Sequence, residues 1–169
     1  MVRRRIGEGA RPRPAGPAGE MAALERASAA VVRSLTGRAA ETMIAERSGF
    51  NLPPASILLL EHLEAAGPRR VSQIAQCQQV VTPAITPRIK DLEAAGLIRR
   101  ENDPSDGRAA LISISARGRT AVRRVRAARC AILAEALGGG DPERIAAAVQ
   151  SLSWLAEALE GSRLAVPLA

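Results

Sequence analysis

The side chains that usually carry covalent or metal chemistry are scarce in this 169-residue chain. His62 is its one histidine, and Cys77 and Cys130 are its two cysteines, far apart and not in a CxxC pair. A zinc site needs three or four convergent ligands, which this set does not supply. No Gly-rich phosphate loop, nucleophile elbow or spaced ligand motif occurs, so the chain reads as a non-enzyme that needs no cofactor. Cys77 and Cys130 read as buried, inert thiols of a reducing compartment. His62, four residues after Leu58, is the candidate for a ligand-pocket contact. What the chain does carry is cationic hydrogen-bonding chemistry. Its 24 Lys and Arg against 17 acidic residues give a net charge of +7, a balance that suits polyanions. Arg3, Arg4, Arg5, Arg11 and Arg13 against Glu8 put much of that excess in the first 19 residues. Lys90 is the only lysine. Phe50 and Trp154 are the only aromatics, which argues against single-stranded nucleic acid, normally gripped by stacking.

The elements that must position these groups are mostly helical. The core has to be built from Leu, Ile, Val and Ala, and Ala-rich stretches favour helix. Residues 1–19, rich in Arg, Pro and Gly, read as a disordered tail. From Glu20 to about Ser48 one long helix is expected, with Leu24, Ser28, Val31 and Leu35 at 4,3,4 spacing. Pro53-Pro54 open a second helix, since proline is tolerated in a first turn, and Gly67-Pro68 stop it. Ser72 is the expected N-cap of a short helix through Ile74, Ala75 and Cys77. Thr82 is the expected cap, and Pro83 the first residue, of another that buries Ile85, Ile89 and Leu92. Two short helices about four residues apart have helix-turn-helix length. Leu97-Ile98 and Leu111, Ile112 and Ile114 then read as two strands around the turn-rich Asp103-Pro104-Ser105-Asp106-Gly107. A hairpin directly behind a helix-turn-helix is a wing. Ser115 caps a helix to about Leu137, broken by Gly138-Gly139-Gly140. Asp141-Pro142 open a last one with Ile145, Val149, Leu152, Ala156 and Leu159 at coiled-coil spacing. No apolar run approaches the 18 residues of a membrane span.

The stretch from Leu92 to Arg119, LEAAGLIRRENDPSDGRAALISISARGR, resembles the signature of the MarR family. The matching pieces are Leu92-Glu93-Ala94-Ala95-Gly96-Leu97 at the end of the recognition helix, Asp106-Gly107-Arg108 in the wing, and Ile112 to Gly118 behind it. Element order extends the likeness to about residues 22–160. The expected fold class is therefore mostly α: a winged helix-turn-helix with a small β-hairpin wing, flanked by long dimerisation helices. The expected division is a tail over 1–19, an N-terminal dimerisation helix over 20–50, a winged helix-turn-helix over 51–115 and C-terminal dimerisation helices over 116–169.

The resemblance implies a cytoplasmic, nucleoid-associated homodimer on pseudo-palindromic duplex DNA, released by a ligand or redox signal. Its recognition helix would enter the major groove and its wing arginine the minor groove. Arg108 is then the leading contact, because a flat, weakly hydrated guanidinium fits a narrow minor groove, and Asp106 would hold it extended. On the recognition helix Thr82, Thr86, Arg88 and Lys90 lie off the buried face and reach toward bases or phosphates. Ser72, Gln73 and Gln79 are short polar donors suited to phosphate oxygens. Leu24, Val31, Ile145, Val149, Leu152 and Leu159 are the expected dimer contacts. A hydrophobic or anionic effector between the outer helices and the winged domain is expected, and no membrane partner. Thr86-Pro87 is similar to a variant in the branch that senses organic hydroperoxides, but that branch uses a first-helix cysteine and this first helix has none. The alternative to DNA binding is a winged helix serving as a protein-interaction module.

Overall fold

The computed structural model describes residues 16–161; the side chains of Pro17, Arg108 and Glu160 fall outside that description. Most of the expected 1–19 tail also lies outside it. The first helix, α1 (Pro17–Thr36), starts three residues earlier than expected, with proline in its first turn.

The single long helix expected up to Ser48 is two helices. α1 ends at Thr36 and α2 (Arg38–Ser48) follows after one extended residue, Gly37, at φ −72° and ψ 156°. A Cβ at Gly37 would sit 2.8 Å from the Arg33 carbonyl oxygen. The break therefore falls where the chain has no side chain to obstruct it, at a residue of low helix propensity.

α3 (Pro54–Ala66) begins behind Pro53 and ends at Gly67, whose φ of 75° suits glycine. Three antiparallel strands follow in the spatial order β1 (Arg69–Arg70), β3 (Asp106–Ile114), β2 (Ile98–Asp103). The two-residue strand β1 is additional to the expected hairpin; Arg70 pairs with Leu111 on the side of β3 away from β2. α4 (Val71–Cys77) and α5 (Thr82–Ala94) form the helix pair. Their caps differ from expectation. Arg70, not Ser72, precedes α4, and the Gln73 side chain accepts the Arg70 N–H at 2.9 Å. Val81, not Thr82, precedes α5, which puts Thr82 at the first helical position and Pro83 at the second.

α6 (Ala116–Leu137) starts as expected: Ser115 accepts the Gly118 N–H at 2.9 Å and donates to the Gly96 carbonyl at 2.7 Å. α7 (Pro142–Gly161) starts behind Asp141, which accepts the Glu143 N–H at 3.0 Å. The core joins α3 (Leu59, Leu60, Leu63), α4 (Ile74), α5 (Ile85, Ile89, Leu92), the sheet (Ile98, Ile112) and the first half of α6 (Ala121, Val122). It is aliphatic, and each such side chain removed from water contributes about 1.5–3 kcal/mol. α2 packs on α6, tied by a two-pronged pair: Arg47 Nη1 and Nη2 each lie 2.7 Å from a Glu135 carboxylate oxygen. That contact holds the Glu135 carboxyl below its ordinary value and the Arg47 guanidinium above its own. α1 and α7 bury none of their described side chains. Among the described residues no helix is long and apolar enough to cross a membrane.

Candidate nucleic-acid interface

α5 stands on the core by one face. Ile85, Ile89 and Leu92 are buried, while Thr82, Pro83, Ala84, Pro87 and Lys90 are exposed. The helix continues through Pro87, although proline removes one backbone donor. One turn earlier Thr86 Oγ1 donates to the Thr82 carbonyl at 2.8 Å. The two threonines therefore sit one above the other at the outer end of the helix. Arg88 is half-buried and reaches back to the turn, its Nη1 donating to Gln78 Oε1 at 3.1 Å. Gln79, the next residue, has φ 53°, in the left-handed region, and is exposed. Ser72 and Gln73 are exposed on α4, where Gln73 is already engaged with the Arg70 N–H. Lys90 makes no ion pair among the described residues.

The wing is the β2–β3 hairpin with Pro104-Ser105 at its tip. Leu97 and Ile98 anchor its base in the core, and β2 carries exposed Arg99 and Arg100. Arg108 lies in β3; its expected reach falls outside the described side chains. Asp106 is half-buried and lies 3.6 Å from Arg70 Nη1.

The acid at the centre of the hairpin is Asp103, which the sequence offered only as turn chemistry. It is buried to 7% exposure. It accepts the Ser105 hydroxyl at 2.7 Å, the Ser105 N–H at 2.8 Å and Arg70 Nε at 2.7 Å. The Ser105 hydroxyl, the Ser105 N–H and then the Arg70 guanidinium, working against burial, lower its pKa from 3.8 to about 2. A folded value below the ordinary one means this contribution to the hairpin is complete above about pH 4. It is lost as pH falls through about 2. A carboxyl-carbon NMR titration should give Asp103 a midpoint near 2, with the hairpin resonances unchanged from neutrality to about pH 4. A midpoint near 4 would remove Asp103 from this role.

Two expectations about thiols are corrected. Cys77 and Cys130 are both exposed in the single chain, not buried. Cys77 is the last residue of α4, beyond the buried Ile74-Ala75 step, and its Sγ lies 3.5 Å from Nδ1 of the half-buried His62. His62 lines neither of two surface grooves of about 340 and 420 Å³. The larger one lies between α2 and α6, lined by Arg47, Arg124, Ala127, Ala128 and Ala131.

Of the expected dimer contacts, Leu24 is half-buried and the other five are exposed: Val31 43%, Ile145 39%, Val149 59%, Leu152 54% and Leu159 57%. Apolar surface of this extent, on helices that bury nothing else, is unusual for an isolated soluble chain.

Comparison with known proteins agrees with this geometry. Residues 50–109, from the end of α2 into β3, match the model of the MarR family. An uncharacterized HTH-type transcriptional regulator from Bacillus subtilis (strain 168), YxaD, is 38% identical over 74 residues, 44% of this chain. That match covers 52% of the relative, so the chain spans about half the length of the curated relative it matches. The YusO protein from Bacillus subtilis has a similar structure, with 26% identity and a TM-score of 0.65 over 85% of this chain and 99% of that one. A MarR family transcriptional regulator from Streptomyces coelicolor, solved in complex with DNA, has a TM-score of 0.64 over 93% and 98%. At 19% identity that likeness shows the fold alone.

Proposed function

We propose that this chain, which belongs to the MarR family of winged helix-turn-helix transcriptional regulators and not to an enzyme family, is a ligand-responsive repressor that binds pseudo-palindromic operators as a homodimer in the cytoplasm. The observation that carries the reading is α5: a helix with Ile85, Ile89 and Leu92 buried and Thr82, Pro83, Ala84 and Lys90 presented outward, beside a hairpin rich in arginine. Thr82 and Thr86 suit base edges or a thymine methyl, and Lys90 suits a phosphate. Arg88, held by Gln78, reaches DNA from a fixed base. Ser72, Gln73 and Gln79 contact the backbone around α4. Arg108 enters the flanking minor groove with Asp106 beside it in sequence. The organisation is pairing helices over 20–50 and 116–169 and a reader over 51–115. A hydrophobic or anionic effector binds between the outer helices and the winged domain; the groove between α2 and α6, where Arg124 stands over Ala127, Ala128 and Ala131, offers it a cationic and apolar wall. His62 does not line that groove.

A salt titration of operator binding tests the wing. Two subunits place two arginines in minor grooves flanking major-groove helices about 34 Å apart. Each lost cationic contact lowers the log–log salt slope by roughly 0.9, so Arg108→Ala should lower it by about 1.8 per dimer. Arg108→Lys should restore only part of the affinity, because charge returns without the planar guanidinium. A folded, dimeric Arg108→Ala protein with unchanged affinity and slope would move the cationic contacts to Arg88 and Lys90.

A further inference from the structure

We propose that Arg70 is a positioning residue for the wing: it locks the β2–β3 hairpin to the first helix of the helix-turn-helix and so sets the angle at which the hairpin tip meets DNA. The inference rests on the DNA-binding reading above and adds to it a residue that touches no base.

Arg70 is fixed at both ends. Its backbone pairs with Leu111 on β3, and its N–H is taken by the Gln73 side chain at the start of α4. From that point its side chain reaches the hairpin tip. Nε and Nη2 lie 2.7 and 2.6 Å from Asp103 Oδ2, Nη2 lies 3.3 Å from Ser105 Oγ, and Nη1 lies 3.6 Å from Asp106 Oδ2. One guanidinium thus engages both ends of the turn and the serine inside it. A planar fork with five donors can do this; an ammonium cannot.

Most exposed ion pairs contribute little, and the two arginines of β2 illustrate that. Arg99 and Glu101 are 4.0 Å apart and Arg100 and Glu93 are 3.7 Å apart, all four largely exposed. The Arg70 pair differs in that Asp103 is buried and accepts three donors from two residues. A carboxylate so placed has one preferred geometry, and the hairpin follows it. The lock also changes the charge that DNA meets. Asp103 and Asp106 put two negative charges in the hairpin that carries Arg108, and the single charge of Arg70, within 4 Å of both, offsets part of them.

The test uses the full-length protein with Arg70→Met, which keeps length and removes the charge, beside Arg70→Lys. Arg70→Met should bind operator about tenfold more weakly, the size of one lost charge-assisted hydrogen bond. Its log–log salt slope should be unchanged, since no phosphate contact is removed. Amides of residues 98–114 should exchange faster while those of α3 and α6 keep their protection. The preference for narrow A-tract flanks over mixed flanks should shrink severalfold, a readout that plain loss of stability would not move. Arg70→Lys should fall between, and adding Asp103→Asn to Arg70→Met should cost little more. A slope lowered by roughly 0.9 per subunit with hairpin exchange unchanged would make Arg70 a direct phosphate contact and overturn the proposal. So would a loosened hairpin with unaltered affinity and flank preference. If the wild-type protein bound no DNA, the function proposed above would fail, while hairpin exchange in Arg70→Met would still decide whether the lock exists.

Discussion

Gly118→Ala should destabilise the fold by about 3 kcal/mol or more, although a glycine-to-alanine change inside a helix ordinarily stabilises by about 1 kcal/mol. Gly118 lies in the first turn of α6, where its N–H is held by the Ser115 hydroxyl. The same turn abuts the start of β2 and the end of β3. A Cβ there would overlap the Leu97 carbonyl oxygen and lie 2.8 Å from Ile114 Cγ1. Leu97 cannot yield easily, because its carbonyl also accepts the Ser115 N–H at 3.0 Å and its side chain is buried. The sterics oppose backbone, not a flexible side-chain end, so they outweigh helix propensity. For a chain of this size the melting temperature should fall by roughly 6–12 °C. Gly96→Asn is the control. Gly96 has φ 69° with nothing near its missing Cβ, and asparagine tolerates that backbone, so the melting temperature should hold within a few degrees. A Gly118→Ala protein as stable as wild type would mean that β2 and α6 do not meet this closely.

The contrast between these two glycines shows what the sequence made legible. The helix pair, the wing behind it, the two last helices and the Ser115 and Asp141 caps are legible because periodicity, turn residues and N-caps are local signals. Gly37 gives little local sign of a break, since one glycine in an Ala-rich run costs only about 1 kcal/mol and helix-forming residues, Ala39, Ala40 and Met43 among them, follow it. The caps of α4 and α5 were misplaced by one or two residues because neither Arg70 nor Val81 is a side-chain capper, and a proline pattern admits either of the first two positions. The expectation that Cys77 and Cys130 are buried rests on the general habit of thiols. Cys77 instead ends a seven-residue helix, and Cys130 lies beyond the stretch of α6 that covers the core. Arg70 was invisible for a different reason. Its partner Asp103 is 33 residues away, and only the pairing of β1 with β3 brings them together. The sequence pointed to Asp106 as the orienting acid of the wing because it is two residues from Arg108; the buried, multiply bonded acid is Asp103.

Charging the apolar stripe of α7 should separate the proposed dimer and, with it, the affinity for a two-half-site operator. Ile145, Val149, Leu152 and Leu159 recur at helical spacing on one side of α7, while Glu143, Gln150 and Glu157 fall on the other. All four apolar residues are exposed in the single chain. Val31, Val32 and Leu35 of α1, and Leu133 and Leu137 of α6, add further uncovered aliphatic surface. In the proposed dimer a second copy of the same chain would cover such stripes with a self-complementary interface. Val149→Glu with Leu152→Glu would bury two unpaired carboxylates per subunit there, a cost the interface cannot absorb. A separated subunit loses the effective concentration that a partner supplies, which is worth about 10²–10⁴ in affinity. Sedimentation at micromolar concentration should show dimer for wild type and for the control Gln150→Glu, and monomer for the double variant. Operator affinity should fall by about 10²–10⁴ for the double variant alone. Binding to non-specific DNA should fall far less, because each reader keeps its own cationic contacts. Dimerisation also contributes to stability, so circular dichroism must show that the double variant retains its helices. If it does not, Val149→Ser with Leu152→Ser weakens the same contact without adding charge, and dilution should dissociate it at higher concentration than wild type. A wild-type monomer at micromolar concentration, or a double variant that stays dimeric, would place the subunit contact away from α7.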